Sequence, residues 1–312
     1  MKNSLRVRSA HNARAPIGVF DSGVGGLTVL RSLAATLPGE HFIYLGDTAR
    51  LPYGTKSADS IRRYACQAAE TLRDRGVKCL VVACNTASAV AIDVLTEEFA
   101  PVPVLGVLEP GAAAACAATR SGRIGVIATE STVRGGAYQR AIERRLPQAT
   151  VTARACPLFV AFAEEGWMSG PVVEAVAHHY LDGMFGAGEH DAHPDTLVLG
   201  CTHFPVLAEA IRTVVGSRTA IVDSAATTAR ALADTLAETG LATPAGNSGR
   251  LELLATDDAE RFARVGGIFL GRPLKAGDVE IVDLRDNARN STLDGDDDDG
   301  TQGGCGLEMK PA

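Results

Sequence analysis

Cys79-Leu-Val-Val-Ala-Cys-Asn-Thr-Ala-Ser88 and Leu197-Val-Leu-Gly-Cys-Thr-His203 decide the fold. Each is a short apolar run that delivers a cysteine followed by small hydrogen-bonding residues. A run of Val and Leu this short, without alternation, reads as a strand buried on both faces, the signature of a parallel sheet. The same grammar stands upstream of each. Ile17-Gly-Val-Phe20 leads into Asp21-Ser-Gly-Val-Gly-Gly26, and Leu27, Leu30 and Leu33 follow at helical spacing, which reads strand, tight glycine turn, helix. Arg123-Ile-Gly-Val-Ile-Ala128 matches that strand in the second half, with Thr129 to Gly136 where the turn stood. Ile61, Tyr64, Ala65, Ala68, Ala69 and Leu72 fall at i, i+3, i+4, i+7, i+8 and i+11, an amphipathic helix stopped by Gly76. Val173, Val176, Ala177, Tyr180, Leu181 and Met184 repeat the set behind Pro171.

First strand to cysteine is 67 residues in one copy and 77 in the other. The chain therefore reads as two similar α/β units, each with a cysteine at the carboxyl end of a strand, where open parallel sheets bind their ligands. Patches at Leu251–Leu254, Ile268–Leu270 and Val279–Val282 are expected to close the first unit. The organisation expected is a basic flexible extension over 1–16, a first unit from 17–110 plus 223–286, a second from 111–222, and a disordered acidic, Gly-rich tail over 287–312.

Composition agrees with a globular chain. At 312 residues two domains fit, and 46% hydrophobic with 21% charged residues excludes disorder for most of the length. The net charge of -7 argues against a nucleic-acid partner, which needs a clustered basic face. Neither a run of 18 apolar residues nor the apolar core of a secretory signal is present, so no membrane association and a cytoplasmic location are expected. Seven cysteines make an odd, scattered set without a Cys-x-x-Cys pair, and they read as thiols.

The chemistry gathers at the strand ends. Cys84 precedes Asn85, Thr86 and Ser88, and Cys201 precedes Thr202 and His203. A helix starting after each strand would aim backbone N–H groups at the thiol, an environment that stabilises a thiolate or a bound carboxylate. Asp21, read alone, is an N-cap; in the same crevice it would accept or relay the Cys84 proton, as His203 would for Cys201. Gly23-Val-Gly-Gly26 lacks both the Walker ending and the full dinucleotide spacing, so nucleotide binding is set aside. The Pro52-Tyr-Gly54 turn sits on a neighbouring strand-end loop where its amides would face a ligand. Glu189-His-Asp-Ala-His193 has metal-like residue types in a loop without a third ligand nearby, and reads as solvated.

Four ordered blocks carry a resemblance: Phe20-Asp-Ser-Gly-Val-Gly-Gly-Leu27, Pro52-Tyr-Gly54, Ala83-Cys-Asn-Thr-Ala-Ser88 and Leu199-Gly-Cys-Thr-His-Phe-Pro205. Over about 17–286 the chain resembles the bacterial glutamate racemase family, and Cys156-Pro-Leu-Phe-Val160 with Glu164 and Glu165, and Val222-Asp-Ser-Ala225, look like further blocks of it. The resemblance implies two pseudo-symmetric three-layer α/β domains with mostly parallel sheets and the active site at their interface. It implies interconversion of L- and D-glutamate without a cofactor or metal, supplying D-glutamate for peptidoglycan. Carried over by position, Cys84 would take the α-proton from D-glutamate and Cys201 from L-glutamate, with Asp21 and His203 assisting. Asp21, Ser22, Tyr53, Gly54, Asn85, Thr86, Thr202 and His203 would bind the substrate. Glutamate is then the small-molecule partner, and a homodimer is an admissible assembly. Glu109-Pro-Gly111 and the Glu164/Glu165 pair become candidates for supporting or gating roles.

Two other classes compete. A cysteine hydrolase, with Cys201 or Cys84 as nucleophile and His203 as base, leaves one cysteine idle. A small-acid binding protein, or a relative that works through a protein partner, predicts thiols buried away from any shared cleft. Racemases and isomerases of aspartate, hydantoins or maleate share the two-cysteine logic, so reaction type is better fixed than substrate.

Overall fold

The computed structural model describes residues 12–186 and 193–284. Most of the basic extension, the Glu189–Ala192 stretch and the acidic tail lie outside the described residues.

Among the described residues ten strands form two sheets, and every neighbouring pair is parallel. The first sheet has the order β10-β9-β2-β1-β3-β4, from β1 (Ile17–Asp21), β2 (Phe42–Gly46), β3 (Cys79–Val82), β4 (Val104–Gly106), β9 (Leu251–Ala255) and β10 (Val279–Ile281). The second has the order β6-β5-β7-β8, from β5 (Arg123–Ala128), β6 (Thr150–Ala155), β7 (Thr196–Gly200) and β8 (Ala220–Asp223). The runs expected to be doubly buried are so: β1, β3 and β7 are buried at every position.

Crossover helices cover the sheets, as parallel pairing demands. The first set comprises α1 (Leu27–Thr36), α2 (Ala58–Asp74), α3 (Asn85–Phe99) and α4 (Leu108–Ala118). The second comprises α5 (Glu130–Gly135), α6 (Ala137–Arg145), α7 (Pro157–Glu164), α8 (Pro171–Phe185) and α9 (Ala208–Val215). Two more, α10 (Ser224–Glu238) and α11 (Ala259–Leu270), return the chain to the first sheet. Local signals set their ends. Ser57 caps α2 by accepting the Ser60 N–H, and Gly76 turns the chain left-handed at φ 75° after it. Asp223 caps α10 by accepting from the Ala225 and Ala226 amides.

Helix α10 packs along α1 and also touches α4, so one apolar cluster runs from Ile17, Leu30 and Phe262 through Leu232 to Leu199 and Phe204. Phe20, Leu80 and Val82 face the other side of the first sheet, against α2 and α3. A buried ion pair, Lys78 with Glu40, ties the edge of this unit together. Lys78 Nζ also donates to the Ala13 carbonyl, and Glu40 accepts from both the amide and hydroxyl of Thr243. Residues 12–16 are thus anchored. Glu109-Pro-Gly111, whose Pro-Gly pair has the composition of a turn, is helical. It opens α4, where Pro110 is tolerated because first-turn amides have no intrahelical acceptor to lose.

Candidate active site

Strand β3 ends at Val82, and Cys84 becomes the N-cap of α3, its sulfur accepting the Ala87 N–H at 3.4 Å. The Cys84 S–H reaches Ser22 Oγ at 3.5 Å. Burial pushes this thiol up to about 12, and the nearby Asp21 carboxylate pushes in the same direction against the helix amide and Ser22. Cys84 is a protonated thiol at neutral pH. Asp21, the last residue of β1, is itself fully buried and held above the usual carboxylate range by that burial. It accepts the Gly23 N–H at 3.0 Å through Oδ2 and does not cap α1, whose N-cap is Gly26.

Cys201 follows β7 in the same way, but no α-helix starts on it. A 3₁₀ turn, Phe204–Leu207, intervenes before α9. Pro205 explains the departure, because it has no N–H to return to the Cys201 carbonyl and its ring crowds that carbonyl. The partner of this thiol is a side chain instead. His203 Nδ1 lies 3.8 Å from Cys201 Sγ, and Nε2 lies 3.2 Å from Glu164 Oε1. Burial disfavours an imidazolium, yet contact with Cys201 and Glu164 outweighs it and carries His203 up to about 10. The two thiols therefore have opposite surroundings, Cys84 beside an anion and Cys201 beside a cation.

Gly25 brings the two loops together. A Cβ there would stand 2.5 Å from both His203 Nδ1 and Thr202 Oγ1, so only glycine permits the approach. Thr28 Oγ1 donates to the Thr202 carbonyl at 3.1 Å across the same seam. A charge on the Cys201 sulfur would raise Cys84 further, so the two sulfurs lie within electrostatic reach of each other. Both are nearly closed off, at 4% and 6% exposure.

Other expected residues join them. Tyr138 OH donates to Asn85 Oδ1 at 2.6 Å, while Asn85 Nδ2 and Asp21 Oδ1 are buried without a partner among the described residues. Thr86 Oγ1 lies 3.0 Å from Thr129 Oγ1 and 3.3 Å from Thr132 Oγ1, and those two lie 3.1 Å apart. Gly54 backs onto this cluster, since a Cβ on it would meet Thr129 Cβ at 2.7 Å. A cavity of about 310 Å³ opens beside it, lined by Pro52, Gly54, Thr129, Val160 and Glu164. Tyr53 differs from expectation in its side chain, whose hydroxyl is turned to the buried Asp47. Of the paired glutamates, Glu164 is the one beside His203, and Glu165 is exposed. Glu109 stands elsewhere, paired with Arg144 and Arg145 on α6. Among the described residues no group of His, Cys, Asp or Glu could hold a metal ion.

Thr129, Thr132 and Asp47 escape a reading by motif. The signal for the threonines lay in the repeat, since they follow β5 where Asp21 and Ser22 stand at the end of β1, although the segment expected as a turn folds as α5, with Thr129 at its N-cap and Thr132 inside it.

A family model described as Asp/Glu/Hydantoin racemase matches residues 17–232. The chain belongs to that family. A glutamate racemase of Geobacter metallireducens is 50% identical over 268 residues, covering 86% of this chain and 96% of the relative. Among solved structures, the glutamate racemase of Francisella tularensis in complex with D-glutamate is 38% identical, with a TM-score of 0.79 over 87% of this chain and 98% of that one. A glutamate racemase isoform from Bacillus anthracis is 33% identical, with a TM-score of 0.81 over 88% and 99%. The resemblance read from four motifs holds, and so does the α/β architecture with two parallel sheets. The chain is an amino-acid racemase, and among its described residues no helix is long and apolar enough to cross a membrane.

Proposed function

We propose that this racemase interconverts L- and D-glutamate with Cys84 and Cys201 as its two bases. The observation that carries the reading is a pair of buried strand-end thiols with different neighbours, Cys84 beside Asp21 and Cys201 beside His203, on loops that meet at Gly25. Inversion at Cα needs one base on each face of a planar, carbanion-like state, because a single base would have to change sides. A neutral Cys84 S–H is placed to give a proton, and the Cys201 sulfur, beside a cationic His203, to take one. Cys201 then removes the α-proton of L-glutamate while Cys84 delivers one to the opposite face, and the reverse turnover begins with the roles exchanged. His203 donates from Nδ1 to the Cys201 sulfur, and Glu164 accepts from Nε2, so charge on that sulfur is met by a fixed donor. Asp21 raises Cys84 and keeps it a proton donor.

The orphaned groups suit an amino acid. Asp21 Oδ1 is a buried acceptor for the ammonium, and Asn85 Nδ2 is a buried donor for the α-carboxylate at the N-terminus of α3. Ser22 and Thr202 complete that end, while the backbone at Tyr53 and Gly54 stands with the threonine cluster at the other. The Thr86, Thr129 and Thr132 hydroxyls supply donors for the second carboxylate, which favours glutamate over a substrate with one acid group. A hydrolase would use the Cys201–His203–Glu164 series and leave Cys84 without a task. The two units, 17–110 with 223–286 and 111–222, would meet at this site, and the product D-glutamate would serve peptidoglycan synthesis in the cytoplasm.

Proton NMR in deuterated water, with no cofactor added, tests the reading. Loss of the Cα–H signal with inversion from either glutamate enantiomer is expected, and Cys84→Ala or Cys201→Ala should each abolish inversion. Full turnover by either single variant would refute the two-base assignment. Exchange with aspartate but not glutamate would keep the mechanism and correct the substrate.

A further inference from the structure

Glu164 divides its carboxylate between two units of the fold. Oε1 faces His203 Nε2 at 3.2 Å, and Oε2 accepts from Arg261 Nη2 at 3.0 Å. Arg261 comes from α11, which belongs to the first sheet's side of the molecule, 97 residues from its partner. Its placement is built. Asp258 caps α11 and accepts the Arg261 N–H at 2.9 Å, and the guanidinium reaches across a cavity of about 290 Å³ that Asp257, Asp258 and Phe262 also line. Two helical turns on, Ile268 stands where a Cβ on Gly166 would meet it at 3.6 Å, so the loop after α7 lies along the same face of α11. Glu164 is 13% exposed and Arg261 is 42% exposed.

From this geometry we propose that Arg261 is a positioning residue for the Cys201 half of the reaction, acting through Glu164 and His203. The inference rests on the two-thiol reading above. A mostly buried carboxylate with one partner has a free oxygen and competing ways to satisfy it. With Arg261 on Oε2, only Oε1 remains for His203, which fixes the ring with Nδ1 toward the sulfur. The contacts with His203 and Arg261 also overcome burial and hold Glu164 below the usual carboxylate range, so it stays an acceptor. No proton passes through Arg261. It orients the acceptor, and the acceptor orients the imidazole.

Kinetic isotope effects separate this role from general support. The enantiomers are equal in free energy, so any loss must lower kcat/KM equally in both directions. The identity of the slow step does not have to be symmetric. In Arg261→Met, kcat/KM is expected to fall about five- to tenfold, between the worth of an exposed ion pair and that of a charged hydrogen bond. The isotope effect should rise with L-glutamate deuterated at Cα, which loses its label to Cys201, and fall toward unity with the D-enantiomer, which loses it to Cys84. Arg261→Lys should recover part of the rate. In a Glu164→Gln background, Arg261→Met should add little, because its route to the thiol is already cut. A rate within about twofold of wild type, an equal change in both isotope effects, or additive losses with Glu164→Gln would overturn the proposal. Cys201→Ala is measured alongside: if it still inverts L-glutamate, the base assignment has failed, whereas an inactive Cys201→Ala with a wild-type-like Arg261→Met refutes only the role of Arg261.

Discussion

Replacing Gly25 with alanine perturbs the seam between the two cysteine loops. The added methyl would stand 2.5 Å from His203 Nδ1, 2.5 Å from Thr202 Oγ1 and 2.6 Å from His203 Cε1. Ordinary contact for such an atom starts at 3.4 Å, so about 0.9 Å must be found. His203 cannot give easily, being 6% exposed, held by Glu164 on one side and packed edge-on against Phe269 with ring centroids 5.2 Å apart. Overpacking of this kind costs about 1–3 kcal/mol. At about 2–4 °C per kcal/mol for a chain of this size, the melting temperature should drop by several degrees. Activity should suffer more, since a displacement of about 1 Å in a catalytic group costs on the order of a hundredfold. Circular dichroism of glutamate measures racemisation, and a thermal melt measures the fold. A Gly25→Ala enzyme with kcat within about threefold of wild type would show that the loops are not held at the contact distance argued here.

Three further outcomes are expected. Gly183 lies in α8 with nothing within 4 Å of its missing Cβ, so Gly183→Ala should raise stability by about 0.5–1 kcal/mol without altering turnover, and a lower melting temperature would contradict it. Lys78→Met leaves Glu40 as a buried, unpaired charge and should cost about 3–5 kcal/mol, much of it recovered in Lys78→Met/Glu40→Gln; urea unfolding that gives equal losses would refute the pairing argument. The Cys79 and Cys84 thiols are pushed up to about 12 by burial. An unfolded chain releases those protons from about pH 8.5, so native stability should decline as pH rises from there to about 12, by up to about 1.4 kcal/mol per pH unit for each thiol. Cys79→Ala should flatten that decline in denaturant titrations, and an unchanged slope would exclude Cys79 as a source.

The parts of this protein legible in its sequence are those that short-range physics writes. Doubly buried parallel strands need continuous Val, Leu and Ile, helices need apolar residues three and four apart, and close turns need glycine. Strands β1, β3, β5 and β7, helices α2 and α8, and the two cysteines at strand ends are therefore visible as patterns, and repetition of the patterns accords with the two parallel sheets. Asn85, Thr86, Thr202 and His203 are legible for the same reason, because they adjoin the thiols in the chain. Pro205 is equally legible, and it forbids the α-helix that the first copy suggests for the second. The opposite polarity of the two thiols is not, since it depends on Asp21 lying beside Cys84 while Glu164 and His203 lie beside Cys201. Thr129 and Thr132 meet Thr86 across more than forty residues, Glu164 is chosen over Glu165 by the phase of α7, and Arg261 arrives from a helix 97 residues farther on. Local sequence determines what each segment forms and which chemistry it carries. Which groups share a site, and which charge each thiol feels, is decided only when the sheets pack, because electrostatic and hydrogen-bonding energies depend on distance through space and not along the chain.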